Sequence, residues 1–470
     1  MSETFLSSFS HVHCVGIGGI GVSGVARFCK QKGKQVSGSD LVQTELTDTL
    51  ARENITVHIG LSDAVWIAES CDLVVYSEAV PETAPERVEA AQRGIRQLGH
   101  FGFIGELSKE YRTICISGTN GKSTTTAMTG KIFEDAGLDP TVFVGSLVPG
   151  WEFGNVRVGK SDILIVEGDE YKKKMLALHP EVTLITNIEA DHLDVYKDLA
   201  DIEQAFHQLC EQTTGIVFLN YLDAHRGIAC GREQADIRSF GDMLPRGNLT
   251  PFAGGQSLAL TERIVSWLPF RKTVGSISLR VPGEFNMMNA LGALAIGDAF
   301  GIDFLVMQKS LESFLGIWRR FERVGDFRGA PVISDYAHHP TAIKGTLKAA
   351  REFFPGKRVI ALFEPHQHSR TKELFADFVA SFDDADVLIL SEVYGVAGRT
   401  EEKDRVSSKD LIDAIIARNA ACSRHTGATY TYAPDLASAE KMIRDIVQPN
   451  DVVLIMGAGN VDRVARNLVS

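Results

Sequence analysis

The sequence predicts an α/β protein with parallel sheets covered on both faces. Two observations carry that prediction. Short apolar runs alternate with helical stretches along most of the chain, which is the pattern of parallel strands joined by crossover helices. Several of those runs end in a glycine-rich or polar turn, where open α/β sheets place their ligands. With 470 residues the chain is too long for one core, and about three domains are expected.

The first strand reads as His11 to Val15, followed by the turn Gly16-x-Gly18-x-x-Gly21 and a helical stretch from Val22 to Gln31. Strands Gln35 to Asp40 and Leu73 to Ser77 repeat the pattern. A second α/β unit begins near Leu107. Its strand Thr113 to Ser117 runs into Gly118-Thr119-Asn120-Gly121-Lys122-Ser123-Thr124, and a helix follows through Ala127 to Phe133. Asp162 to Glu167 and Val182 to Asn187 supply two more apolar strands. From about Arg232 to Leu279 the pattern turns glycine-rich and predicts short antiparallel strands and loops; Asn286 to Phe300 reads as an alanine-rich helix. The third unit starts near Arg320, with strands at Pro331 to Asp335, Arg358 to Phe363, Ala385 to Leu390 and Asp451 to Met456. Domain borders are expected at 1–106, 107–317 and 318–470. The outer two domains are expected to be Rossmann-like and the central one a P-loop domain.

The turn from Gly118 to Thr124 carries the strongest chemistry. Successive backbone N–H groups of such a turn converge on phosphate oxygens. Lys122 reaches terminal phosphates, and the Ser123 hydroxyl can ligate Mg²⁺. This predicts a nucleoside triphosphate site. Gly16 to Gly21 fits two uses. One is a dinucleotide, with Asp40 about 20 residues on holding the ribose. The other is a nucleotide-sugar diphosphate at the helix N-terminus, which the presence of a P-loop favours. Glu167 ends a strand beside the P-loop and suits Mg²⁺. His192, in Asn187-Ile188-Glu189-Ala190-Asp191-His192-Leu193-Asp194, is either a second metal ligand or a helix cap. Asn286 and Asn289 share a helix face; they either read an adenine edge, or Asn286 caps the helix. Asp335-Tyr336-Ala337-His338-His339-Pro340 and Glu364-Pro365-His366-Gln367-His368-Ser369-Arg370-Thr371 follow strands. Neither cluster has the spacing of a zinc helix motif, and contact with substrate or phosphate is their expected use.

A net charge of −12 argues against nucleic acid or an acidic membrane as partner. No basic region followed by an apolar stretch is visible at the N-terminus, and no apolar run is long enough to span a membrane. The seven cysteines are scattered without close pairs, which predicts reduced, mostly buried thiols and a cytoplasmic location.

Together these segments resemble the Mur ligases, the ATP-dependent amide-forming enzymes of peptidoglycan assembly. The resemblance runs from about His11 to Asp462. It rests on His13 to Gly21, Gly38-Ser39-Asp40, Gly118 to Thr124, Thr186 to Asp194, Arg319-Arg320-Phe321 and Asp335 to Thr341, in that order. It implies an enzyme that joins L-alanine to the carboxylate of UDP-N-acetylmuramic acid through an acyl phosphate. ATP and Mg²⁺, two ions of it, would be the cofactors; neither nucleic acid nor a membrane would be a partner, and the chain would be a monomer or homodimer.

The resemblance also implies roles. Gly118, Thr119, Asn120, Gly121, Lys122, Ser123, Thr124 and Arg320 would meet ATP, with Asn286 and Asn289 on its adenine. Ser123, Glu167 and His192 would hold metal. Gly16, Gly18, Gly19, Ile20, Gly21, Ser39, Asp40 and Ser77 would hold the UDP-sugar. Tyr336, His338, His366 and Arg370 would surround the amino acid and the acyl phosphate. Lys122, His192, His338 and Arg370 would be catalytic. Three segments depart from the family pattern: Gly168 and the run Tyr171-Lys172 after Glu167, Gln367 where an arginine is usual, and Glu78 in the loop that would flank uracil. Phe206-His207-Gln208-Leu209 offers no lysine for carbamylation. The alternatives are a recycling ligase that adds a tripeptide to the same UDP-sugar and, in another class, an NAD-dependent oxidoreductase with a regulatory ATP site.

Overall fold

A computed structural model describes residues 4–193, 195–225, 227, 236–241, 249–252, 255–260, 275–395, 406–422 and 427–470. Asp194, part of the motif at Thr186, and Cys230 lie outside the described residues. The chain forms two compact units. One comprises Met1–Asp191, Asp198–Met243 and Asn289–Ser310; the other comprises His192–Lys197, Leu244–Met288 and Leu311–Ser470.

The first unit opens with β1 (His11–Val15), α1 (Ile20–Gln31), β2 (Gln35–Asp40), α2 (Glu45–Arg52), β3 (Thr56–Ile59), β4 (Leu73–Tyr76), α3 (Pro85–Gln92), β5 (Arg96–Gly99) and α4 (His100–Ser108). The strands form one parallel sheet in the order β3-β2-β1-β4-β5. The order reverses between β1 and β4, so the turns leaving those two strands flank one crevice, the usual ligand position in such a sheet.

β6 (Arg112–Ser117), α5 (Lys122–Asp135), β7 (Thr141–Phe143), β8 (Val156–Arg157), β9 (Ile163–Glu167), β10 (Val182–Ile185), α6 (Leu199–Gln212), β11 (Ile216–Asn220) and β12 (Asp236–Phe240) follow. Their sheet runs β12-β11-β10-β6-β9-β7-β8, parallel except where β8 pairs with β7. β6 lies between β10 and β9, so three strand ends deliver Gly118, Asn187 and Glu167 to one edge. Central strands of this kind are buried on both faces, and Ile114, Cys115 and Ile116 are fully inaccessible. α5 is buried although rich in threonine. Its hydroxyls donate to carbonyls four residues back, Thr125 to Gly121 at 2.9 Å and Thr129 to Thr125 at 2.8 Å, so no polar group is stranded.

The two sheets of this unit are tied at the first turn of α1. The Asn155 amide donates to the Ile20 carbonyl at 2.5 Å and to Ser23 Oγ at 2.9 Å. Buried Arg27 donates to Phe153 O and Asn155 Oδ1, both at 2.7 Å, and forks onto Glu53. The guanidinium fork meets the carboxylate in two parallel bonds and leaves its remaining donors satisfied by backbone and amide.

In the second unit β13 (Leu249–Phe252), β14 (Gly255–Leu260) and β15 (Gly275–Leu279) make an antiparallel sheet, as expected for that stretch. The expectation fails at β12, which extends the parallel sheet of the first unit through pairing with β11. Helices α7 (Glu284–Ala299) and α8 (Phe304–Glu312), most of whose residues belong to the first unit, come next in the chain. β16 (Glu322–Phe327), β17 (Ala330–Asp335), α9 (Pro340–Phe353), β18 (Arg358–Phe363), α10 (His368–Glu373), α11 (Phe375–Val379), β19 (Val387–Ser391), α12 (Ser408–Cys422), β20 (Thr429–Ala433), α13 (Leu436–Ile446), β21 (Asp451–Met456) and α14 (Asp462–Val469) complete the chain. Their sheet runs β16-β17-β21-β18-β19-β20 and is parallel except at β16. Separate apolar cores cover its faces, one around Leu347, Phe363, Phe378 and Leu454, the other around Leu362, Ile443, Ile455 and Leu468. Cys14, Cys29, Cys71, Cys115 and Cys210 are buried thiols, and burial raises the pKa of Cys14, Cys29, Cys71 and Cys115. No helix among the described residues is long and apolar enough to cross a membrane.

Candidate active site

The P-loop leaves β6 with Gly118 at φ 129° and enters α5 through Gly121 at φ 87°, conformations that a side chain would strain. A Cβ at Gly121 would strike the Asn289 amide of α7, so that glycine is also required by close approach. Asn187, at the end of β10, braces the loop. Its carbonyl accepts from Thr119 N at 2.8 Å, and its Oδ1 accepts from Asn120 N at 3.0 Å. Thr124 is buried at the start of the helix.

Lys122 Nζ lies 2.7 Å from Glu170 and donates to the Gly118 and Thr119 carbonyls at 2.6 and 3.1 Å. Burial disfavours its charge, but the carboxylates of Glu170, Asp169 and Glu167 outweigh that, and its pKa is raised. The ammonium is therefore charged and pre-positioned over the loop. Ser123 Oγ donates to Glu167 Oε1 at 2.8 Å, and Gly145 N donates to Glu167 Oε2 at 2.6 Å. A hydroxyl and a carboxylate at this distance fit Mg²⁺, whose other positions belong to water and phosphate oxygens. No group of three or more His, Cys, Asp or Glu forms a metal cage among the described residues; a phosphate-held Mg²⁺ requires none. His192 lies in the short segment His192–Lys197 at φ 55°, a left-handed conformation uncommon outside glycine. It caps no helix: α6 begins at Leu199 with Asp198 as its cap.

The first glycine turn is organised differently. Gly16 N and Ile17 N donate to the Ser39 carbonyl at 2.8 and 2.9 Å, Gly18 N donates to Asp40 Oδ2 at 2.8 Å, and Gly19 caps α1 at Ile20. Ser39 thus acts on the loop through its carbonyl. Its hydroxyl is turned inward, donating to Glu86 Oε1 at 2.5 Å beside the buried His13. Asp40 likewise clamps the loop. Ser77 sits across the crevice, where a Cβ on Gly16 would lie 3.0 Å from the Ser77 Cβ. Next to it, Glu78 pairs with His100 at 2.7 Å, and the His100 ring abuts Gly21.

On α7, Asn286 and Asn289 are both buried. α7 begins at Glu284, so Asn286 lies within the first turn and does not cap it; its amide donates to Pro282 O at 2.6 Å.

In the second unit, the guanidinium groups of Arg319 and Arg320 lie 4.9 and 5.0 Å from the centre of the Tyr336 ring. Arg319 also donates to the Gly457 carbonyl. Arg319 and Phe321 take φ values of 55° and 48°, held by bonds from Arg319 N to Glu322 and from Phe321 N to Asp335. His338 Nδ1 donates to Tyr336 O at 2.9 Å, and its ring meets the tyrosine edge-on. His366 stacks on Tyr394 at 5.4 Å. Gln367 adopts φ 72° at the start of α10, and Arg370 in that helix is buried. Glu364, also buried, has its carboxyl pushed up to about 6 by desolvation.

Sequence reasoning did not single out Glu170, Asn187, His100 or Lys174 as site residues. Glu170 and Asn187 stand inside motifs that were read. His100 pairs with Glu78, 22 residues away, whereas Lys174 is set by a bend in its backbone and pairs with Asp169 five residues back.

Three family profiles tile the chain. Mur ligase family, catalytic domain, matches residues 11–112; Mur ligase middle domain, 116–297; Mur ligase, glutamate ligase domain, 319–459. A UDP-N-acetylmuramate–L-alanine ligase of Salinibacter ruber is 37% identical, covering 100% of this chain and 96% of its own length. One of Alkaliphilus metalliredigens is 34% identical over 98% and 97%. Among solved structures, the UDP-N-acetylmuramate–alanine ligase of Thermotoga maritima is 26% identical with a TM-score of 0.79, covering 98% of each chain. A murein peptide ligase of Psychrobacter arcticus, 21% identical with a TM-score of 0.66 over 98% of each chain, shares the fold. With relatives above one-third identity from end to end, this chain belongs to the Mur ligase family.

Proposed function

We propose that the protein joins L-alanine to the carboxylate of UDP-N-acetylmuramic acid at the expense of ATP, in peptidoglycan precursor synthesis. The observation that carries this reading is the end-to-end likeness, 37% identity over 100% of the chain, to a ligase named for that reaction. The two phosphate-binding turns of the first unit give it a physical basis.

In this reading ATP lies on the P-loop from Gly118 to Thr124. Lys122 meets the β- and γ-phosphates, Asn286 and Asn289 meet adenine, and Arg320 meets the phosphates. Ser123 and Glu167 would hold one Mg²⁺ and His192 a second; the ions supply neutralisation of phosphate charge. Gly16, Gly18, Gly19, Ile20 and Gly21 hold the UDP diphosphate on the N-terminus of α1, with Ser39, Asp40 and Ser77 supporting the nucleoside. The muramoyl carboxylate attacks the γ-phosphorus in line, the bond to the β-bridging oxygen breaks, and ADP leaves. The alanine amine then attacks the acyl carbon of the acyl phosphate, loses a proton, and inorganic phosphate departs. Tyr336, His338, His366 and Arg370 surround that second step. The protein's contribution is positioning and charge stabilisation by fixed groups, above all Lys122.

Domain borders at 1–106, 107–317 and 318–470, a cytoplasmic location, and a monomeric or homodimeric state belong to the same proposal. The test is phosphate release from ATP and Mg²⁺ with UDP-N-acetylmuramic acid, comparing single amino acids with the tripeptide and weighing the product by mass spectrometry. Release that requires L-alanine and yields the alanyl amide supports the reading. Turnover with the tripeptide alone overturns it in favour of a recycling ligase.

A further inference from the structure

Charged side chains cluster near both glycine turns of the first unit. One group adjoins Gly21, where a side-chain atom would lie 2.7 Å from the His100 ring. His100 pairs with Glu78 at 2.7 Å, and Glu78 packs against Gly99 at the start of α4. Burial would raise the Glu78 carboxyl, but the His100 hydrogen bond and the His100 and Lys174 charges bring it below the ordinary value. Lys174, whose charge acts on Glu78, lies on the other side. Its Nζ lies 2.7 Å from Asp169 and over the rings of Tyr171 and Phe101, at 5.2 and 6.0 Å. Asp169 in turn acts on Lys122 of the P-loop.

The backbone is bent to put Lys174 there. Lys172 and Lys173 take φ values of 54° and 58°, while Lys173 N and Met175 N donate back to the Glu170 and Asp169 carbonyls at 2.8 and 2.9 Å. Two successive left-handed residues that are not glycine mark a conformation held against its local preference. Lys173 is drawn away to Asp201 at 3.1 Å.

A substrate with its diphosphate on α1 and its carboxylate at the γ-phosphate must pass these charges. That carboxylate approaches Glu167, Asp169, Glu170 and a triphosphate, all anionic, so a fixed side-chain cation beside it adds attraction to that of Lys122 and the metal ions. We propose that Lys174 binds the lactyl carboxylate of UDP-N-acetylmuramic acid and so selects this sugar, with Asp169 fixing the ammonium. The inference rests on the function proposed above.

UDP-N-acetylglucosamine lacks only the lactyl ether, which makes it the control ligand. Dissociation constants for both UDP-sugars should be measured by calorimetry on wild type, Lys174→Met and Lys174→Arg, with a nonhydrolysable ATP analogue and Mg²⁺ present. Lys174→Met is expected to reduce the preference for the muramic acid sugar by about 10- to 100-fold, the range of one charge-assisted hydrogen bond. Lys174→Arg should keep part of that preference, and binding of the ATP analogue should stay within about twofold. A merely structural role would weaken both sugars alike. An unchanged preference in Lys174→Met therefore overturns the inference. Phosphate release by wild type with L-alanine tests the underlying reading separately: selective sugar binding without ligation would sink the reaction and leave the site.

Discussion

Gly16–Gly21 and Gly118–Ser123 both leave a buried parallel strand and enter a helix, yet they hold their shape by opposite means. The first is organised by neutral carbonyls and one carboxylate: Ser39 O takes two loop N–H groups and Asp40 takes a third. It carries no lysine. The second is organised around a cation, with Lys122 bonded to Glu170 and to two loop carbonyls. A diphosphate that only has to be anchored is served by backbone N–H groups and a helix N-terminus. A phosphoryl group that has to be transferred develops charge, and a fixed ammonium offsets it best in a partly dry site. Under the proposed function, the difference between the loops is the difference between binding and chemistry.

The largest effect is expected at the charged loop. Lys122→Ala should lower kcat/KM for phosphate release by about 1000-fold, or ~4 kcal/mol of transition-state stabilisation. A variant that ligates at the wild-type rate would break the comparison outright. At the neutral loop, Gly18→Ala would set a methyl group 2.8 Å from Asp40 Oδ2 and 3.0 Å from Thr47 Cγ2. The KM for the UDP-sugar should then rise by about 10- to 100-fold, as expected when a loop hydrogen bond is displaced, with the KM for ATP nearly unchanged. Asp40→Asn keeps the shape but weakens the clamp on Gly18 N, and a loss of about 10-fold in UDP-sugar affinity is expected by calorimetry.

The smallest effect concerns pH. Burial would raise the Asp169 carboxyl, but the charges of Lys174 and Lys122 more than offset it, so its pKa is lowered from the ordinary 3.8. A depressed carboxylate contributes stability above its unfolded value and loses it as the pH falls through the folded one. Urea unfolding of wild type and Asp169→Asn should therefore differ steadily at neutral pH, and converge only below about 3.8. Convergence near neutrality would show that the acidic cluster does not hold the loop's cation.

Much of this arrangement was legible locally. Gly118, Gly121, Lys122 and Ser123 form a compact run whose order marks the loop, although the partners of Lys122 and Ser123, Glu170 and Glu167, lie 48 and 44 residues away. The same holds for Gly16 to Gly21 and for Tyr336 to His338, where a polar cluster follows an apolar strand. The sequence marks Ser39 as a position but not by atom: the loop uses its carbonyl, while its hydroxyl goes to Glu86, 47 residues away. β12 was misjudged because its five residues, Asp236–Phe240, are polar at one end and take their register from β11. An edge strand is defined by its partner more than by its own pattern.

By itself the sequence determined the fold class, the two glycine turns and the polar clusters at strand ends, because glycine conformations and apolar periodicity are properties of short segments. Only the tertiary structure decided which charges meet. Glu170 lies 48 residues from Lys122, and Glu78 lies 22 residues from His100. Lys174, looking like one of three surface lysines, is turned inward by a bend in its backbone. Electrostatic partnership depends on distance in space and on the water excluded between the charges, and neither quantity is written along the chain.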